Sequence, residues 1–274
     1  MTTLVTGSRG AVARGLAGLL QEAGLPHRLA SRDPQDPGTV RCDLTDPGTF
    51  PAALDGATSV FLYAEPAAAD AFLKEAGAAG VEHIVLLSSS SVLAHDAEDN
   101  ALAASHLDAE RALLASPIRS TLLRPGAFAS NSRGWARSIA SGDPVRMPYP
   151  GAHSDPVHEA DIAEAAFAVL TDPALGGRAH TLTGPHSLTF ATQLALIAAA
   201  LGRPIPVETV TPDVWKSDVE AFVPAPYADA LLDHWAAHDG LPVAISDGVE
   251  QLTGHPARSF EAWVDDHLAD FRAH

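Results

Sequence analysis

The residues with the clearest chemical potential form a glycine-rich turn near the start of the chain. Gly7 and Gly10 follow the apolar run Leu4–Thr6, and an amphipathic helix pattern begins directly after them. Gly7 permits a tight turn, and Gly10 lets the backbone approach a pyrophosphate, which the helix N-terminus attracts with free N–H groups and its positive dipole end. The order strand, turn, helix is the context that a dinucleotide-binding motif requires. The predicted cofactor contacts here are Gly7, Ser8, Arg9, Gly10, Ala11 and Val12.

The end of a second predicted strand, His27–Ala30, carries residues that distinguish NADP from NAD. Arg32 lies 22 positions after Gly10, where this type of fold meets the adenosine ribose. An arginine suits the 2′-phosphate of NADP because it makes paired, charge-assisted hydrogen bonds. Arg9 can reach the same phosphate, whereas Asp33 would hold the 2′-hydroxyl of NAD instead. The presence of both Arg32 and Arg9 favours NADP(H) over NAD(H).

A third predicted strand, Thr39–Cys42, leads into further candidate cofactor contacts. Asp43 is placed to accept a hydrogen bond from the adenine amino group, and Leu44 to lie against the ring. Thr45 or Asp46 has the separate structural role of capping the next helix.

The next two predicted strands, Ala57–Leu62 and His83–Leu87, end in polar residues. Ser89 and Ser90 are candidates for binding the substrate oxygen, or they cap the strand end. Tyr63 is a candidate for flanking the nicotinamide or donating a proton, or it is a packed aromatic residue. Strands that alternate with helices predict an α/β fold with a doubly wound parallel sheet, which binds ligands beyond the carboxyl ends of its strands. The cofactor contacts predicted at these two strand ends are Leu62, Tyr63, Ala64 and Ser88.

The length of 274 residues allows one large domain or a main domain with a smaller lobe. We predict a Rossmann domain over residues 1–150, to which 156–185 return, and a smaller C-terminal substrate lobe over 186–274. All four tryptophans lie after residue 130, which favours an aromatic substrate site built by the later part of the chain. Its predicted contacts are Phe128, Trp135, Trp215 and Phe222.

Composition and charge exclude several classes of partner. The formal net charge of −17 disfavours nucleic acid and anionic membranes, because both need a basic protein surface. The single cysteine, Cys42, precludes an internal disulfide and is expected to be buried. We see no signal peptide and no run long enough to span a bilayer, so we expect a cytoplasmic protein. The spacing of His153, Asp155 and His158 fits no zinc pattern, so no metal is predicted.

Several motifs occur in the order typical of one family, over nearly the whole chain. They are Thr6–Gly10, Cys42–Leu44, Ser88–Ser90, His106–Glu110, Leu122–Gly126, Val157–Ala163, and Leu182–Pro185 with Leu188–Thr189. In these motifs the chain resembles the NmrA-like, atypical branch of the short-chain dehydrogenases/reductases. The resemblance implies a Rossmann fold that binds NAD(P)H. It also implies either a reductase of quinones, ketones and related small molecules or a nucleotide-binding regulator without turnover.

The chain departs from the superfamily at the catalytic tyrosine and the lysine four residues later. Leu102 takes the tyrosine position and His106 the lysine position, where the resemblance implies contact with the nicotinamide ribose. Leucine cannot donate a proton, and a positioned acid is worth about 10²–10⁴ in rate. We therefore predict an NADPH-dependent reductase of a small aromatic, quinone-like or polycyclic ketone substrate; the alternative is a catalytically silent NADP-binding regulator that acts through a protein partner. Pro125, Gly126 and Phe128 are expected to pack on the nicotinamide.

Overall fold

The computed structural model describes residues 2–272, which form eleven β-strands and eleven α-helices. The strands are β1 (Thr3–Val5), β2 (His27–Ser31), β3 (Val40–Arg41), β4 (Ser59–Tyr63), β5 (His83–Leu87), β6 (Arg119–Pro125), β7 (Val145–Met147), β8 (His153–Ser154), β9 (Ala179–Leu182), β10 (Leu188–Thr189) and β11 (Val207–Thr209). The helices are α1 (Ala11–Glu22), α2 (Phe50–Leu54), α3 (Ala69–Ala78), α4 (Ala104–Ala115), α5 (Ala136–Ser141), α6 (Glu159–Thr171), α7 (Phe190–Leu201), α8 (Pro212–Val219), α9 (Ala225–Ala237), α10 (Gly248–Thr253) and α11 (Phe260–His267).

Seven strands form one sheet in the order β3-β2-β1-β4-β5-β6-β9. Every neighbouring pair in this sheet is parallel, and Val5 of β1 pairs with Leu29 of β2 on one side and Phe61 of β4 on the other. The chain builds outward from β1 to β3 and then returns to β4, so the strand order reverses between β1 and β4. This arrangement confirms the predicted doubly wound parallel sheet, and it aligns the carboxyl ends of the strands along one edge.

Local sequence signals set the ends of several helices. Gly24, just beyond α1, has a φ of +66°, a conformation that glycine adopts without steric cost. Thr189 precedes α7 and its hydroxyl accepts a hydrogen bond from the Thr192 N–H at 3.0 Å. Ser259 precedes α11 and accepts from the Ala262 N–H at 3.3 Å. Each of the three residues is of a type typical of its position at a helix end.

The chain divides into two compact units. The first unit comprises the chain up to Pro125, Glu159–Leu182 and Gly248–His255, and the second comprises Gly126–His158, Thr183–Asp247 and the chain from Pro256 onward. The division therefore falls after Pro125 rather than near residue 150, and α10 adds to the first unit a segment that the sequence prediction gave to the C-terminal lobe.

Each unit has its own apolar core. In the first unit, residues of α2, α3 and α4 pack with the sheet, while α1 and α6 pack against each other. In the second unit, Phe260 and Trp263 of α11 lie in a cluster with residues of α5, β7 and α7. Among residues 2–272, no helix combines the length and the apolar character needed to cross a bilayer.

Candidate cofactor and active site

The glycine-rich turn connects β1 to α1 in the first unit. Gly7 has a φ of +63°, and its carbonyl accepts a hydrogen bond from the Gly10 N–H at 2.8 Å. Gly10 is the residue before α1 and has no side chain to cap the helix, and the first turn contains no acidic residue. The N–H groups and positive dipole end of α1 are therefore not neutralised by an acidic side chain of that turn. This is the environment that an anionic phosphate prefers.

Thr6 holds the turn against β4. Its hydroxyl donates to the Phe61 carbonyl at 3.0 Å and accepts from the Tyr63 N–H at 3.1 Å. The carboxyl ends of β1 and β4, between which the strand order reverses, are thus tied together by a buried side chain.

The ring of Tyr63 lies over the glycine-rich turn. A Cβ atom added to Gly7 would meet Cδ2 and Cε2 of this ring at 2.7 Å, and one added to Gly10 would collide with the phenol oxygen. Burial raises the pKa of the Tyr63 phenol, while the adjacent backbone N–H of Ala13 in α1 acts in the opposite direction. The phenol oxygen is therefore at the N-terminus of α1; the predicted role of Tyr63 as a proton donor stays a prediction.

Basic and acidic side chains follow β2 and β3 at the same edge. Arg32 and Arg9 are both exposed. The Asp43 carboxylate accepts hydrogen bonds from the Thr45 hydroxyl at 2.8 Å and the Thr45 N–H at 3.1 Å. These bonds, with a smaller contribution from Arg32, lower the pKa of Asp43. Asp46 accepts from the Gly48 N–H at 3.1 Å, which is the capping role that the sequence predicts.

A narrow apolar cleft lies beside these residues in the first unit. Leu44 and Leu62, both predicted to contact the cofactor, contribute to its wall. The lining residues are Leu44, Leu62, Glu65, Ala68, Ala69, Phe72, Leu73, Ala109 and Leu113.

Some of the serines after β5 make hydrogen bonds that stabilise the local structure. Ser89 accepts hydrogen bonds from the N–H of Ser91 at 3.2 Å and from its hydroxyl at 2.9 Å, so it caps the short 3-10 helix Ser90–Leu93. The Ser91 hydroxyl also lies 3.2 Å from the Leu102 carbonyl oxygen. Ser90 is half-buried and makes no side-chain hydrogen bond within residues 2–272.

Ser88 belongs to a buried hydrogen-bond network that the sequence analysis does not predict. Its hydroxyl donates to Glu110 Oε1 at 2.6 Å, and Arg124 donates to both carboxylate oxygens at 2.9 and 2.6 Å. The Glu110 side chain is 2% exposed and that of Arg124 is 19% exposed. This hydrogen-bond network joins the end of β5, the middle of α4 and the end of β6. Glu110 and Arg124 stand in motifs that the family resemblance uses, but no spacing rule pairs them.

His106 lies one helical turn before Glu110 on α4. Its Nδ1 is buried and has no hydrogen-bond partner among residues 2–272. Burial lowers the pKa of His106, although the Glu110 carboxylate opposes the shift. Burial therefore favours the neutral form of His106, in which the ring has one donor nitrogen and one acceptor nitrogen.

In the second unit, four aromatic rings form a connected cluster. Trp135 contacts Phe190 at 5.8 Å between ring centroids, Phe190 contacts Trp235 at 5.3 Å, and Trp235 contacts Trp215 at 4.8 Å, all edge to face. All four rings are half-buried. The structure thus brings together the predicted residues Trp135 and Trp215, and it adds Trp235 as the link between them. We call these four residues the aromatic cluster.

Two other predicted substrate residues lie apart from this cluster. Phe222 is 81% exposed, and Phe128 is half-buried, with its backbone bridged to Val157. Neither makes a ring contact with another aromatic side chain within residues 2–272.

The turn that follows β6 lies against a half-buried acidic residue in the second unit. Asp155 accepts a hydrogen bond from the Ala127 N–H at 2.9 Å, and its carboxylate occupies the space where a side chain on Gly126 would lie. Burial raises the pKa of Asp155 to about 6. Of the two nearby histidines, His153 bonds Ser187 at 3.0 Å and His158 bonds Asp266 at 3.3 Å. Asp155, His153 and His158 thus have different hydrogen-bond partners.

The parallel sheet and the glycine-rich turn at its switch point define a dinucleotide-binding Rossmann protein. A family model described as NAD(P)H-binding matches residues 7–173. A (4-alkanoyl-5-oxo-2,5-dihydrofuran-3-yl)methyl phosphate reductase from Streptomyces griseus is 36% identical over 279 residues, which cover 98% of each chain. An NAD(P)H azoreductase from Xenophilus azovorans is 30% identical, over 98% of this chain and 99% of the relative.

Solved structures share the fold. Triphenylmethane reductase from Citrobacter sp., determined with NADP(H), gives a TM-score of 0.79 at 20% identity, over 97% of this chain and 99% of that chain. The NADPH complex of an Escherichia coli NADPH-dependent quinone oxidoreductase gives 0.81 at 21% identity, with the same coverage. The chain belongs to the NAD(P)H-binding family. This confirms the predicted cofactor type and an NAD(P)H-dependent oxidoreductase.

Proposed function

We propose that the protein is an NADPH-dependent reductase of a small aromatic, quinone-like or polycyclic ketone compound, and that it works without the usual tyrosine and lysine. One observation carries the proposal. The carboxyl edge of the sheet collects the glycine-rich turn, Arg32 and the serine run. The family resemblance assigns Leu102 to the position of the proton donor. The names of the relatives, which include an azoreductase and a furanone phosphate reductase, support reduction of an electron-poor unsaturated molecule.

The residues of the first unit fit NADP(H). The N-terminus of α1 and the turn at Gly7 and Gly10 suit the pyrophosphate, and we assign contact with the adenine to Asp43 and Leu44. Arg32, with Arg9, suits the 2′-phosphate because a guanidinium presents paired donors to phosphate oxygens. Bound in this way, the cofactor supplies a hydride.

The absence of an acid at Leu102 restricts the acceptor. General acid catalysis contributes about 10²–10⁴ in rate, so an unactivated ketone would be reduced slowly. A quinone, or a ketone beside a phenol, needs less help because its reduced oxygen is stabilised by the aromatic system and takes a proton from water.

The chain's own residues position the reactants in this proposal. The neutral His106 ring donates a hydrogen bond to the nicotinamide ribose, and the Ser90 hydroxyl, with Ser89, orients the acceptor oxygen. Pro125, which ends β6, and Gly126 provide a backbone surface for the nicotinamide. Positioning of this kind supplies much of the rate enhancement when the cofactor carries the reactive atom.

We assign recognition of the substrate's ring to the aromatic cluster, with the predicted residues Phe128 and Phe222 as further contacts. Half-buried rings offer edge and face contacts to a planar ligand. Trp215→Ala should therefore raise KM for an aromatic acceptor by about tenfold and leave the Kd for NADPH unchanged. An unchanged KM would remove the cluster from the substrate site.

The activity is tested by following the loss of NADPH absorbance with a panel of quinones, polycyclic ketones and simple aliphatic ketones. We expect oxidation with the quinones and polycyclic ketones and little with the aliphatic ones. His106→Gln should lower kcat by about tenfold or more. Tight NADPH binding with no oxidation by any acceptor would favour the alternative, a regulator that senses NADP(H), which the leucine at position 102 also suits.

The cofactor preference is tested with Arg32→Ala. Loss of a charge-assisted contact should weaken NADPH binding by about tenfold to a hundredfold and leave NADH binding nearly unchanged. Arg111→Ala is the matched control, because Arg111 is also exposed but pairs with Glu98 on the outer surface of α4. Equal losses for NADPH and NADH in Arg32→Ala would refute the 2′-phosphate assignment.

A further inference from the structure

The side chain of Tyr63 lies where the fold would receive a pyrophosphate. Its ring covers Gly7, and its oxygen lies against Gly10, the residue before α1. The closeness is specific: a Cβ atom at Gly7 would lie 2.7 Å from two ring carbons. In dinucleotide-binding motifs these two glycines leave room for phosphates because they have no side chains. Here the same space contains a tyrosine ring.

The phenol oxygen also takes the electrostatic place of a phosphate oxygen. It lies against Gly10, the residue before α1, and the first turn of that helix has no acidic side chain of its own. A partly negative oxygen is favoured at the positive end of a helix dipole, as an anion is.

We propose that Tyr63 occludes the pyrophosphate site of the free protein and leaves it when NADPH binds. This inference rests on cofactor binding by the first unit and on nothing further in the proposed function. The ring and a pyrophosphate both need the volume directly above Gly7 and Gly10, so they exclude each other.

The movement is confined to the side chain. The Tyr63 backbone is fixed, because its N–H donates to the Thr6 hydroxyl at 3.1 Å and Tyr63 pairs with Leu87 across β4 and β5. The ring itself is half-buried, and its one aromatic contact is an edge-to-face contact with Phe61 at 5.7 Å among the residues described. Rotation about the side-chain bonds therefore frees the turn without moving the sheet.

Occlusion lowers the apparent affinity for the cofactor. When a competent state is only a fraction of the population, the apparent Kd rises by the inverse of that fraction. A ring that covers the turn in about nine of ten molecules weakens NADPH binding about tenfold. A ligand that contacts Arg32 without reaching the turn is unaffected.

The test compares two ligands, NADPH and adenosine 2′-monophosphate, which lacks the pyrophosphate. We expect Tyr63→Ala to bind NADPH about tenfold more tightly than the natural chain and to bind adenosine 2′-monophosphate equally well. Tyr63→Phe keeps the ring but loses the oxygen, so its affinity for NADPH should lie between those of the natural chain and Tyr63→Ala. Tyr149→Phe serves as the control. Weaker or unchanged binding of NADPH by Tyr63→Ala would overturn the proposal, as would an equal gain for both ligands.

A second measurement does not depend on the stability of Tyr63→Ala. The chain has three tyrosines, so fluorotyrosine labelling gives a simple fluorine NMR spectrum in which Tyr63→Phe assigns the Tyr63 signal. That signal should shift on saturation with NADPH and stay in place with adenosine 2′-monophosphate. An unmoved Tyr63 signal at saturating NADPH would overturn the occlusion alone, whereas failure of the natural chain to bind NADPH would overturn both this inference and the proposed function.

Discussion

Removing the charge of Glu110 should destabilise the protein strongly. Glu110→Gln keeps the shape of the side chain but leaves Arg124, whose side chain is only 19% exposed, without its counter-ion. Two charge-assisted hydrogen bonds from Arg124, at 2.9 and 2.6 Å, lose strength together with the 2.6 Å bond from Ser88. Breaking a buried pair from one side costs about 3–5 kcal/mol. We expect about 3 kcal/mol, because the remaining exposure of Arg124 lets water solvate it in part.

Urea unfolding of the natural chain and the variant measures this loss. Glu98→Gln is the matched control, since it breaks the exposed pair of Glu98 with Arg111, whose side chains are 69% and 55% exposed; it should cost less than about 1 kcal/mol. The double variant Glu110→Met/Arg124→Met removes both charges and should regain most of the loss. The reasoning is wrong if Glu110→Gln costs no more than Glu98→Gln.

Three further predictions concern single groups. The pKa of Asp155 is raised to about 6 from 3.8, so the folded state favours its protonated form. The free energy of unfolding should therefore fall as pH rises from about 4 through about 6. Asp155→Asn should remove this pH dependence, as measured by urea titrations. Burial raises the pKa of the Cys42 thiol to about 11, so a thiol reagent should modify it slowly at neutral pH and readily in urea; rapid native labelling would contradict this. Gly7→Ala should cost at least about 1 kcal/mol, because of the positive φ and the Tyr63 ring, whereas Gly18→Ala, with open space in α1, should be neutral or stabilising by thermal melting.

The sequence predicts best those features that local chemistry determines. The glycine-rich turn is specified by its immediate neighbours and lies where it is expected, and the left-handed Gly24 and the capping residue Ser259 are local features of the same kind. The sheet topology follows because strands that alternate with helices leave few right-handed arrangements. The third strand is shorter than predicted, since only Val40–Arg41 pair with β2.

Features that depend on distant parts of the chain are less predictable. The pairing of Glu110 with Arg124 needs the contact between α4 and the end of β6, which no periodicity reveals. Trp235 joins the aromatic cluster only because α9 faces Trp215 and Phe190. The position of the Tyr63 ring depends on a side-chain rotamer, so the sequence places the residue at the right edge of the sheet but does not show what the ring covers.

The way the chain alternates between its two units limits how such a protein can evolve or be engineered. It passes from one unit to the other after Pro125, His158, Leu182, Asp247 and His255. A gene cut after codon 125 would encode a sheet without β9 and without α6 and α10, and the bare edge of β6 would be open to pairing with other chains. Recombination with a relative therefore cannot exchange the second unit as one cassette: three separate stretches have to be transplanted together.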